Sequence, residues 1–291
     1  MTEKTVIVGG GHAAAQLVST LRQLNYPGDI VLLGEERWLP YQRPPLSKKY
    51  LAGELETERL YVKPKSFYQD RQVDLRLQTR VTSIDREARS LQTDDGHDVS
   101  YDKLVLALGA RIRKLDIEGI DLDGVHYLRS LADVQAIKED LKPGRRLVII
   151  GAGYIGLEVA AVSQELGVDV TVVEQADRVM SRVVSAEISD FYQIEHTRRG
   201  IKLRLGTDVA ALHGRKRIKS VETSSGKELP ADVVVIGVGV LPNTELAADA
   251  GLDVDDGIVV DDRCQSSDPA IFAIGDCTRH PSAVYELSLI H

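Results

Sequence analysis

Two glycine-rich segments contain the residues of this sequence best suited to chemistry. They are Gly9-Gly10-Gly11-His12-Ala13-Ala14 and Gly151-Ala152-Gly153-Tyr154-Ile155-Gly156. In the G-x-G-x-x-G/A pattern, the first glycine permits a tight turn, the second lets the backbone approach a pyrophosphate, and the third small residue packs the helix on the strand. The N–H groups and dipole of the helix N-terminus attract phosphate. The spacing therefore predicts two dinucleotide sites in one chain.

Each glycine-rich turn is followed by an acidic residue at the spacing of a ribose ligand. Glu35 follows Gly9 by 26 residues, and Glu174 follows Gly151 by 23. A carboxylate at this place accepts hydrogen bonds from a ribose 2′-hydroxyl and repels a 2′-phosphate, so Glu174 favours NADH over NADPH. Arg178 is close enough in sequence to weaken that preference. A single turn also fits a plain strand–helix connection, but two suggest a flavoprotein in which one dinucleotide reduces another.

The elements that must position these turns alternate between strand and helix. Apolar runs predict strands at residues 5–8, 29–33, 104–107, 146–150, 168–174, 201–205, 232–236 and 271–274, and helical patterns cover 13–24, 157–166 and 185–199. Hairpins are predicted from segments 73–85 and 90–103 around Gly96 and across Ser224-Ser225-Gly226, and residues 37–49 are predicted to form a loop. The pattern indicates the α/β fold class with parallel sheets. The turn recurs after 142 residues, which suits two homologous nucleotide-binding modules.

The composition excludes several classes of protein. The chain has 291 residues, 43% hydrophobic and 27% charged, with a net charge of −8, which is typical of a folded protein and argues against a nucleic-acid partner. Cys264 and Cys277 are too few for a disulfide scaffold and are expected to be small buried hydrophobic residues. The seven histidines lack metal-ligand spacing, so no metal is predicted. The sequence shows neither a secretory leader nor an apolar run that spans a bilayer, so we expect a cytoplasmic protein without membrane contact.

Further segments carry a resemblance to a known family. They are Leu39-Pro-Tyr-Gln-Arg-Pro-Pro-Leu-Ser-Lys48, Leu106-Ala-Leu-Gly-Ala-Arg111, Tyr127-Leu-Arg129, Gly237-Val-Gly-Val-Leu-Pro-Asn243 and Ile271-Phe-Ala-Ile-Gly-Asp276. With the two turns, they resemble the FAD-dependent pyridine nucleotide-disulfide oxidoreductase superfamily, and within it the NADH:ferredoxin reductase branch. The resemblance covers residues 4 to 281. It implies two Rossmann-like domains of three ββα layers: an FAD domain of residues 1–112 and 237–291, interrupted by an NAD domain of residues 113–236.

The resemblance also implies roles for individual residues in the FAD domain and its loop. Lys48 should lie beside the isoalloxazine, where a fixed cation favours the reduced flavin anion, and Arg43 shares its loop. The remaining FAD ligands that it implies are Gly9, Gly11, Ala13, Ala14, Glu35, Val81, Arg129 and Asp276. The residues themselves leave two alternatives open: the loop as a proline-stiffened surface turn, and the Gly275-Asp276 pair as a plain turn after a strand.

For NADH, the resemblance implies a second set of ligands. It consists of Gly151, Gly153, Ile155, Gly156, Glu174 and Gly239, the last lining the nicotinamide side. Glu158 should face the nicotinamide, and its alternative is an acid of the first helical turn, favoured by the helix dipole. The basic run Arg215-Lys-Arg-Ile-Lys219 is either a solvated turn or part of a patch for an acidic ferredoxin.

Together these expectations give an enzyme of the ferredoxin–NAD(+) reductase type. A hydride passes from NADH to FAD, and single electrons then pass to a [2Fe–2S] ferredoxin of an oxygenase or P450 system. Because residues 1–263 contain no cysteine, the thiol chemistry of the disulfide reductases is not expected. The alternatives are an NADH:rubredoxin reductase, a nitrite-reductase-type flavin reductase and an NAD(H)-binding redox-signalling flavoprotein. The tail Tyr285–His291 does not resemble the family's continuation, so the resemblance implies a C-terminal truncation that lacks an α+β interface domain, weakens FAD binding and favours aggregation. An inactive fragment is therefore a further alternative.

Overall fold

The structure is a computed structural model, and it describes residues 2–282 and 287–290. The chain forms two compact units. The first consists of Met1–Gln42, Glu58–Arg111 and Leu241–His291, and the second of Arg43–Thr57 and Ile112–Val240. Residues 43–57 therefore group with the second unit, whereas the sequence placed them in the FAD domain. The assignment of the two units to FAD and NAD stays a prediction.

The first 112 residues alternate between strands and helices from the start. The elements are β1 Lys4–Val8, α1 His12–Gln23, β2 Asp29–Gly34, α2 Lys65–Asp70, β3 Val73–Leu77, β4 Val81–Asp85, β5 Ser90–Thr93, β6 Asp98–Ser100, β7 Lys103–Leu106 and β8 Ala110–Ile112, with 3₁₀ turns at Pro44–Ser47 and Thr57–Leu60.

The next segment repeats this plan. Its elements are β9 Val125–Tyr127, α3 Leu131–Asp140, β10 Arg146–Ile150, α4 Tyr154–Glu165, β11 Asp169–Val173, α5 Ala186–Arg198, β12 Lys202–Arg204, β13 Val209–Gly214, β14 Ile218–Thr223, β15 Glu228–Pro230 and β16 Val233–Ile236. The chain then continues through β17 Val240–Pro242, α6 Glu245–Asp249, β18 Ile258–Val259, β19 Ile271–Ala273, β20 Thr278–Ser282 and β21 Leu287–Ile290. Residues 285, 286 and 291 of the divergent tail lie outside the described part.

A parallel sheet of five strands forms the centre of the first unit, in the order β19-β7-β1-β2-β3. Both faces of β1 are covered, because Val6 belongs to one apolar cluster and Ile7 to another. The chain continues from β1 to β2 on one side, and β7 lies on the other, so the turn after β1 occupies a topological switch point. This confirms the predicted α/β fold for this part of the chain.

One predicted hairpin strand of this unit is wrong. Residues 73–77 alternate between apolar and polar types, which predicts an antiparallel ribbon, but β3 pairs with β2 in parallel as the edge of the main sheet. The polar residues Asp74 and Arg76 are exposed, so one face of this strand is open to water and the sequence alternates as in an antiparallel sheet. The turn at Gly96 does join the antiparallel strands β5 and β6, as predicted.

The second unit repeats the architecture with the order β12-β11-β10-β16-β9, again all parallel. A separate antiparallel sheet, β13-β14-β15, contains the predicted hairpin across Ser224-Ser225-Gly226. Helix α3 was not predicted. Its start is marked by a capping box in which the side chain of Ser130 accepts from the N–H of Asp133 and the side chain of Asp133 accepts from the N–H of Ser130.

Two features are absent from the described residues. Within residues 2–282 and 287–290, no helix combines the length and the apolar character needed to cross a membrane. The same residues contain no group of three or more His, Cys, Asp or Glu side chains arranged to hold a metal ion.

Candidate functional site

The first glycine-rich turn connects β1 to α1, and its shape requires glycine at the first position. Gly9 has a φ of 110°, and a Cβ atom there would overlap the carbonyl oxygen of Ala107. The N–H of Gly9 donates to the carbonyl oxygen of Leu33 at 2.8 Å, which holds the turn against β2. Next to it, Ala14 is fully buried, so a small residue lets the helix pack closely on the sheet.

The N-terminus of α1 is open and fits a phosphate. No side chain caps it at Gly11, and its first turn has no acidic residue. A Cβ atom at Gly11 would meet nothing within 4 Å. Free N–H groups with open space above them attract an anion through hydrogen bonds and the helix dipole. The Gly275-Asp276 pair lies beside this turn, since a Cβ at Gly275 would be 3.1 Å from that of Ala13.

The other predicted FAD ligands of this unit are placed as follows. Glu35 directly follows β2, and its exposed carboxylate lies 3.9 Å from Arg80 Nε. Val81 is buried at the start of β4, and Asp276 is exposed after β19. Since β1, β2 and β19 belong to one parallel sheet, the segments that follow them meet at its carboxyl edge. The structure therefore brings Gly9, Glu35 and Asp276 to the same edge.

The second turn has the same geometry in the second unit. Gly151 has a φ of 104°, and a Cβ there would lie 2.5 Å from the carbonyl oxygen of Gly237. A Cβ at Gly156 would overlap the carbonyl oxygen of Gly151. The N-terminus of α4 at Gly153 again has no capping side chain, no acid in its first turn and open space around the glycine. Both turns therefore fit the pyrophosphate of a dinucleotide.

Glu174 is anchored directly to the second turn. Its Oε2 accepts from the N–H of Ala152 at 2.7 Å, and its Oε1 accepts from the N–H of Ala176 at 2.9 Å. An ionised carboxylate accepts about four hydrogen bonds, so capacity for ribose hydroxyls remains. The sequence predicted Glu174 as a ribose ligand but gave no indication of its contact with Ala152.

Arg178 is committed to its own loop. Its guanidinium donates to the carbonyl oxygens of Ser181 at 2.7 Å and Val184 at 3.0 Å, and to Ser189 Oγ at 2.7 Å. These contacts fasten the segment between β11 and α5. They give no support to the expectation that Arg178 weakens the preference for NADH.

The two residues predicted as catalytic form an ion pair with each other. Lys48 Nζ lies 2.8 Å from Glu158 Oε2, and Ser47 Oγ donates to the same oxygen at 2.5 Å. The side chains are 48% and 29% exposed, so the pair is in contact with water. Glu158 is the fifth residue of α4, and the first turn has no acid, so its alternative role as a helix-dipole acid is wrong.

The loop that carries Lys48 is packed rather than a surface turn. Leu46 and Ser47 are buried within the 3₁₀ turn Pro44–Ser47, which corrects the surface-turn alternative. Arg43 Nη1 donates to the carbonyl oxygen of Arg129 at 2.7 Å. The N–H of Arg129 in turn donates to Asp133 Oδ2 at 3.0 Å. Arg43 of the loop is thus linked through Arg129 to the start of α3.

The remaining predicted residues have simpler surroundings. Gly239 is exposed with a φ of 111°, and its carbonyl oxygen accepts from the N–H of Arg113 at 3.0 Å. Cys277 is fully buried, as predicted, and its thiol donates to the carbonyl oxygen of Ile274. Cys264 is half-buried with a φ of 62°, so its prediction as a fully buried residue is wrong. Burial raises the pKa of both thiols, which keeps them protonated at neutral pH.

Two glycine-rich turns with open helix N-termini, each with a carboxylate directly after the neighbouring strand, have the features of a protein that binds two dinucleotides. The family model of pyridine nucleotide-disulphide oxidoreductases matches residues 3–287, and the chain belongs to this family. Members of the family use FAD and NAD(H), and the geometry of both turns fits these groups.

Three known proteins show which members of the family this chain resembles. A probable ferredoxin reductase of Castellaniella defragrans is 44% identical over 98% of this chain and 70% of its own length. A rubredoxin-NAD(+) reductase of Pseudomonas putida is 40% identical over 94% of this chain and 71% of its own. The crystal structure of a covalent putidaredoxin reductase–putidaredoxin complex is similar with a TM-score of 0.97 and 39% identity, covering 99% of this chain and 71% of that one. The chain therefore spans about seven tenths of the length of these proteins.

Proposed function

We propose that this protein is an FAD-dependent NADH:ferredoxin reductase. The observation that carries the proposal is the presence of two open glycine-rich turns with ribose acids, one in each unit. A single such turn serves an ordinary dehydrogenase, whereas two bring together a nicotinamide and a flavin. The names of the similar proteins support a ferredoxin as the class of acceptor. That this ferredoxin is a [2Fe–2S] protein of an oxygenase or P450 system stays a prediction from the sequence. We also propose a cytoplasmic location, where NADH is regenerated.

The first turn would hold the adenosine diphosphate half of FAD. The N–H groups at the start of α1 bind the pyrophosphate, and Gly9 and Gly11 let the backbone approach it. Glu35 accepts from the ribose hydroxyls, Asp276 holds the ribityl chain, and Val81 offers a backbone contact to the adenine. Together these residues fix the position of the flavin.

The second turn would hold NADH in the same way. The N–H groups at the start of α4 bind its pyrophosphate, with Gly153 and Ile155 closest to it. Glu174 accepts from the ribose hydroxyls while its bond to the Ala152 N–H keeps the carboxylate directed at the turn. Gly239 leaves room on the nicotinamide side. When bound, the cofactors supply the redox chemistry, a hydride transfer from NADH to the flavin followed by single-electron release.

The ion pair of Lys48 and Glu158 has a positioning role in this proposal. Glu158 accepts from both Ser47 and Lys48, so the ammonium group has a defined position although it is half-exposed. A fixed cation stabilises negative charge that develops nearby, here on the reduced flavin. Arg43 and Arg129 hold the loop through their mutual hydrogen bond. No general acid or base is needed for a hydride transfer, so alignment and charge are what these residues supply.

Anaerobic stopped flow tests the proposal. Mixing the FAD-loaded protein with NADH should bleach the flavin absorbance, and adding an oxidised [2Fe–2S] ferredoxin should restore it in two single-electron steps. Failure of NADH to bleach bound FAD would refute the proposal. Bleaching with a long-lived charge-transfer band and no transfer to any iron–sulfur protein would instead indicate a redox-signalling flavoprotein.

A second acceptor class has support from one specific comparison. A rubredoxin-NAD(+) reductase is 40% identical to this chain, close to the identity of the ferredoxin reductase. Titrating the NADH-reduced protein with rubredoxin and with [2Fe–2S] ferredoxins, at equal concentration and ionic strength, separates the two. A higher kcat/KM with rubredoxin would overturn the choice of ferredoxin while leaving the flavin chemistry intact.

A further inference from the structure

A basic groove lies in the second unit at the edge of its parallel sheet opposite the glycine-rich turn. Its volume is about 600 Å³. Five cationic side chains and one carboxylate line it, namely Arg145, Arg215, Lys216, Arg217, Lys219 and Asp232. Arg145 directly precedes β10 and Asp232 directly precedes β16, which places the groove at the amino ends of these strands. The concentration of cations stands out in a chain whose net charge is −8.

Two of the arginines are oriented by one partly buried carboxylate. Arg217 Nη2 donates to Asp140 Oδ1, and Arg145 Nη1 lies 3.2 Å from the same oxygen. His126 Nε2 lies 2.7 Å from Asp140 Oδ2, and the Asp140 side chain is only 15% exposed. Burial raises the pKa of Asp140, but hydrogen bonds from His126 and Arg217 outweigh it and hold that pKa below its usual value. The carboxylate therefore stays ionised and fixes both guanidinium groups.

The backbone around Arg217 is built to hold this residue. A Cβ atom at Gly214 would overlap the carbonyl oxygen of Arg217, so the tight turn between β13 and β14 needs glycine there. A Cβ at Gly124 would lie 3.0 Å from Arg217 Nη2, so this glycine leaves room for the guanidinium. The N–H of Asp123 donates to the carbonyl oxygen of Lys216 at 3.1 Å, which fastens the turn to a neighbouring segment.

The other cations of the groove are open to a ligand. Arg215, Lys216 and Lys219 are exposed, and within the part of the chain that the structure describes they form no ion pair. The one carboxylate of the lining, Asp232, is compensated by Arg146, whose Nη2 lies 2.7 Å from Asp232 Oδ1. One guanidinium group can donate two parallel hydrogen bonds to the oxygens of a phosphate, and each lysine ammonium group adds a compact positive charge.

We propose that this groove binds a small anion that carries two or more phosphate groups, at a site separate from the dinucleotide turn. A volume of about 600 Å³ is in the range of small-molecule sites. An acidic ferredoxin docked here would lie at the amino edge of the sheet, whereas the second glycine-rich turn, proposed to bind NADH, lies at the carboxyl edge. The groove is therefore poorly placed to pass electrons, and this inference does not depend on which acceptor the enzyme uses.

Titration calorimetry with inorganic tripolyphosphate tests the site. The FAD-loaded protein is saturated with NAD⁺ first, so that the glycine-rich turn of the second unit is occupied. Removing one oriented guanidinium with Arg217→Gln should weaken binding about tenfold or more, since hydrogen bonds to charged groups contribute on that scale. Lys219→Gln, which leaves the contacts of Asp140 intact, should weaken it several-fold. The matched control is Arg198→Gln, an equal charge change at an exposed position of α5 outside the groove.

The outcomes are separable. Weaker tripolyphosphate binding in both groove variants, with the control unchanged, supports the site. If Arg217→Gln fails to fold, the comparison of Lys219→Gln with the control decides alone. Equal affinity in Lys219→Gln, Arg198→Gln and the parent protein would overturn the proposal, as would absence of binding at low ionic strength. Binding of an acidic protein at this groove without binding of tripolyphosphate would also overturn it.

Discussion

Replacing Glu174 by alanine separates two roles of one carboxylate: the support of the turn, which the structure shows, and the contact to the ribose, which we propose. The side chain accepts from the N–H groups of Ala152 at 2.7 Å and Ala176 at 2.9 Å. Losing it leaves two backbone donors without their acceptor, at a cost of about 1–3 kcal/mol for each buried donor. The side chain is half-buried, so water replaces part of the loss. We expect the free energy of unfolding of Glu174→Ala to fall by about 1–2 kcal/mol.

The effect on the nucleotides is the sharper part of this prediction. A hydrogen bond from a ribose hydroxyl to a carboxylate contributes about 1.5–3 kcal/mol, which corresponds to about a 10- to 100-fold loss of kcat/KM for NADH. With NADPH, the variant loses the same support of the turn but also loses the repulsion between carboxylate and 2′-phosphate. The ratio of kcat/KM for NADH to that for NADPH should therefore fall about tenfold or more.

Steady-state reduction of ferricyanide by the FAD-loaded protein measures both values. Glu174→Gln keeps one acceptor oxygen and removes the charge, so it should retain more stability than Glu174→Ala while losing the same discrimination. Glu165→Ala is the control, because this glutamate lies on α4 with its side chain 70% exposed. If both nucleotides lose the same factor in Glu174→Ala, the carboxylate only supports the turn, and its assignment to the ribose is refuted.

Three further predictions rest on other parts of the structure. Gly156→Ala should destabilise the protein by about 1–3 kcal/mol in thermal denaturation, because its Cβ would overlap a backbone carbonyl oxygen. Gly153 has open space around it, so Gly153→Ala should keep the stability and weaken NADH binding. Equal destabilisation by the two substitutions would contradict this prediction. Lys48→Met should slow flavin bleaching by NADH about tenfold in stopped flow with unchanged unfolding, and an unchanged rate would remove the role of this cation. Burial lowers the pKa of His196 in the folded protein below the ordinary value of 6.5. As the pH drops below about 6.5, the unfolded chain therefore binds a proton that the folded protein does not, and the free energy of unfolding should fall. Chemical denaturation should show His196→Phe less sensitive to this pH change, and equal sensitivity would contradict the assignment.

Short segments of the sequence predicted the parts of the fold that they encode locally. The turns at Gly9 and Gly151 could be predicted because the positive φ and the close approach of a carbonyl group exclude other residues there. The strands that flank them are continuous apolar runs, as expected of strands covered on both faces. The positions of Glu35 and Glu174 follow from the same pattern, since each directly follows the strand beside its turn.

Features that depend on contacts between distant segments could not be predicted in the same way. Residues 73–77 have the alternation of an antiparallel strand, and only the pairing with β2 shows them to be a parallel edge. Lys48 and Glu158 are 110 residues apart in the chain, so the sequence named both catalytic candidates without showing that they meet. The start of helix α3 could have been predicted from the sequence, since Ser130 and Asp133 have the spacing of a capping box.

The grouping of residues 43–57 with the second unit makes the two units inseparable by simple excision. The chain passes from one unit to the other four times, after residues 42, 57, 111 and 240. A fragment of residues 112–240 would contain Glu158 without Ser47 and Lys48, the partners of its carboxylate. During synthesis on the ribosome, the segment that completes the second unit emerges long before the rest of that unit. It must then wait for α4, and closing this long loop costs conformational entropy that a local hairpin does not incur.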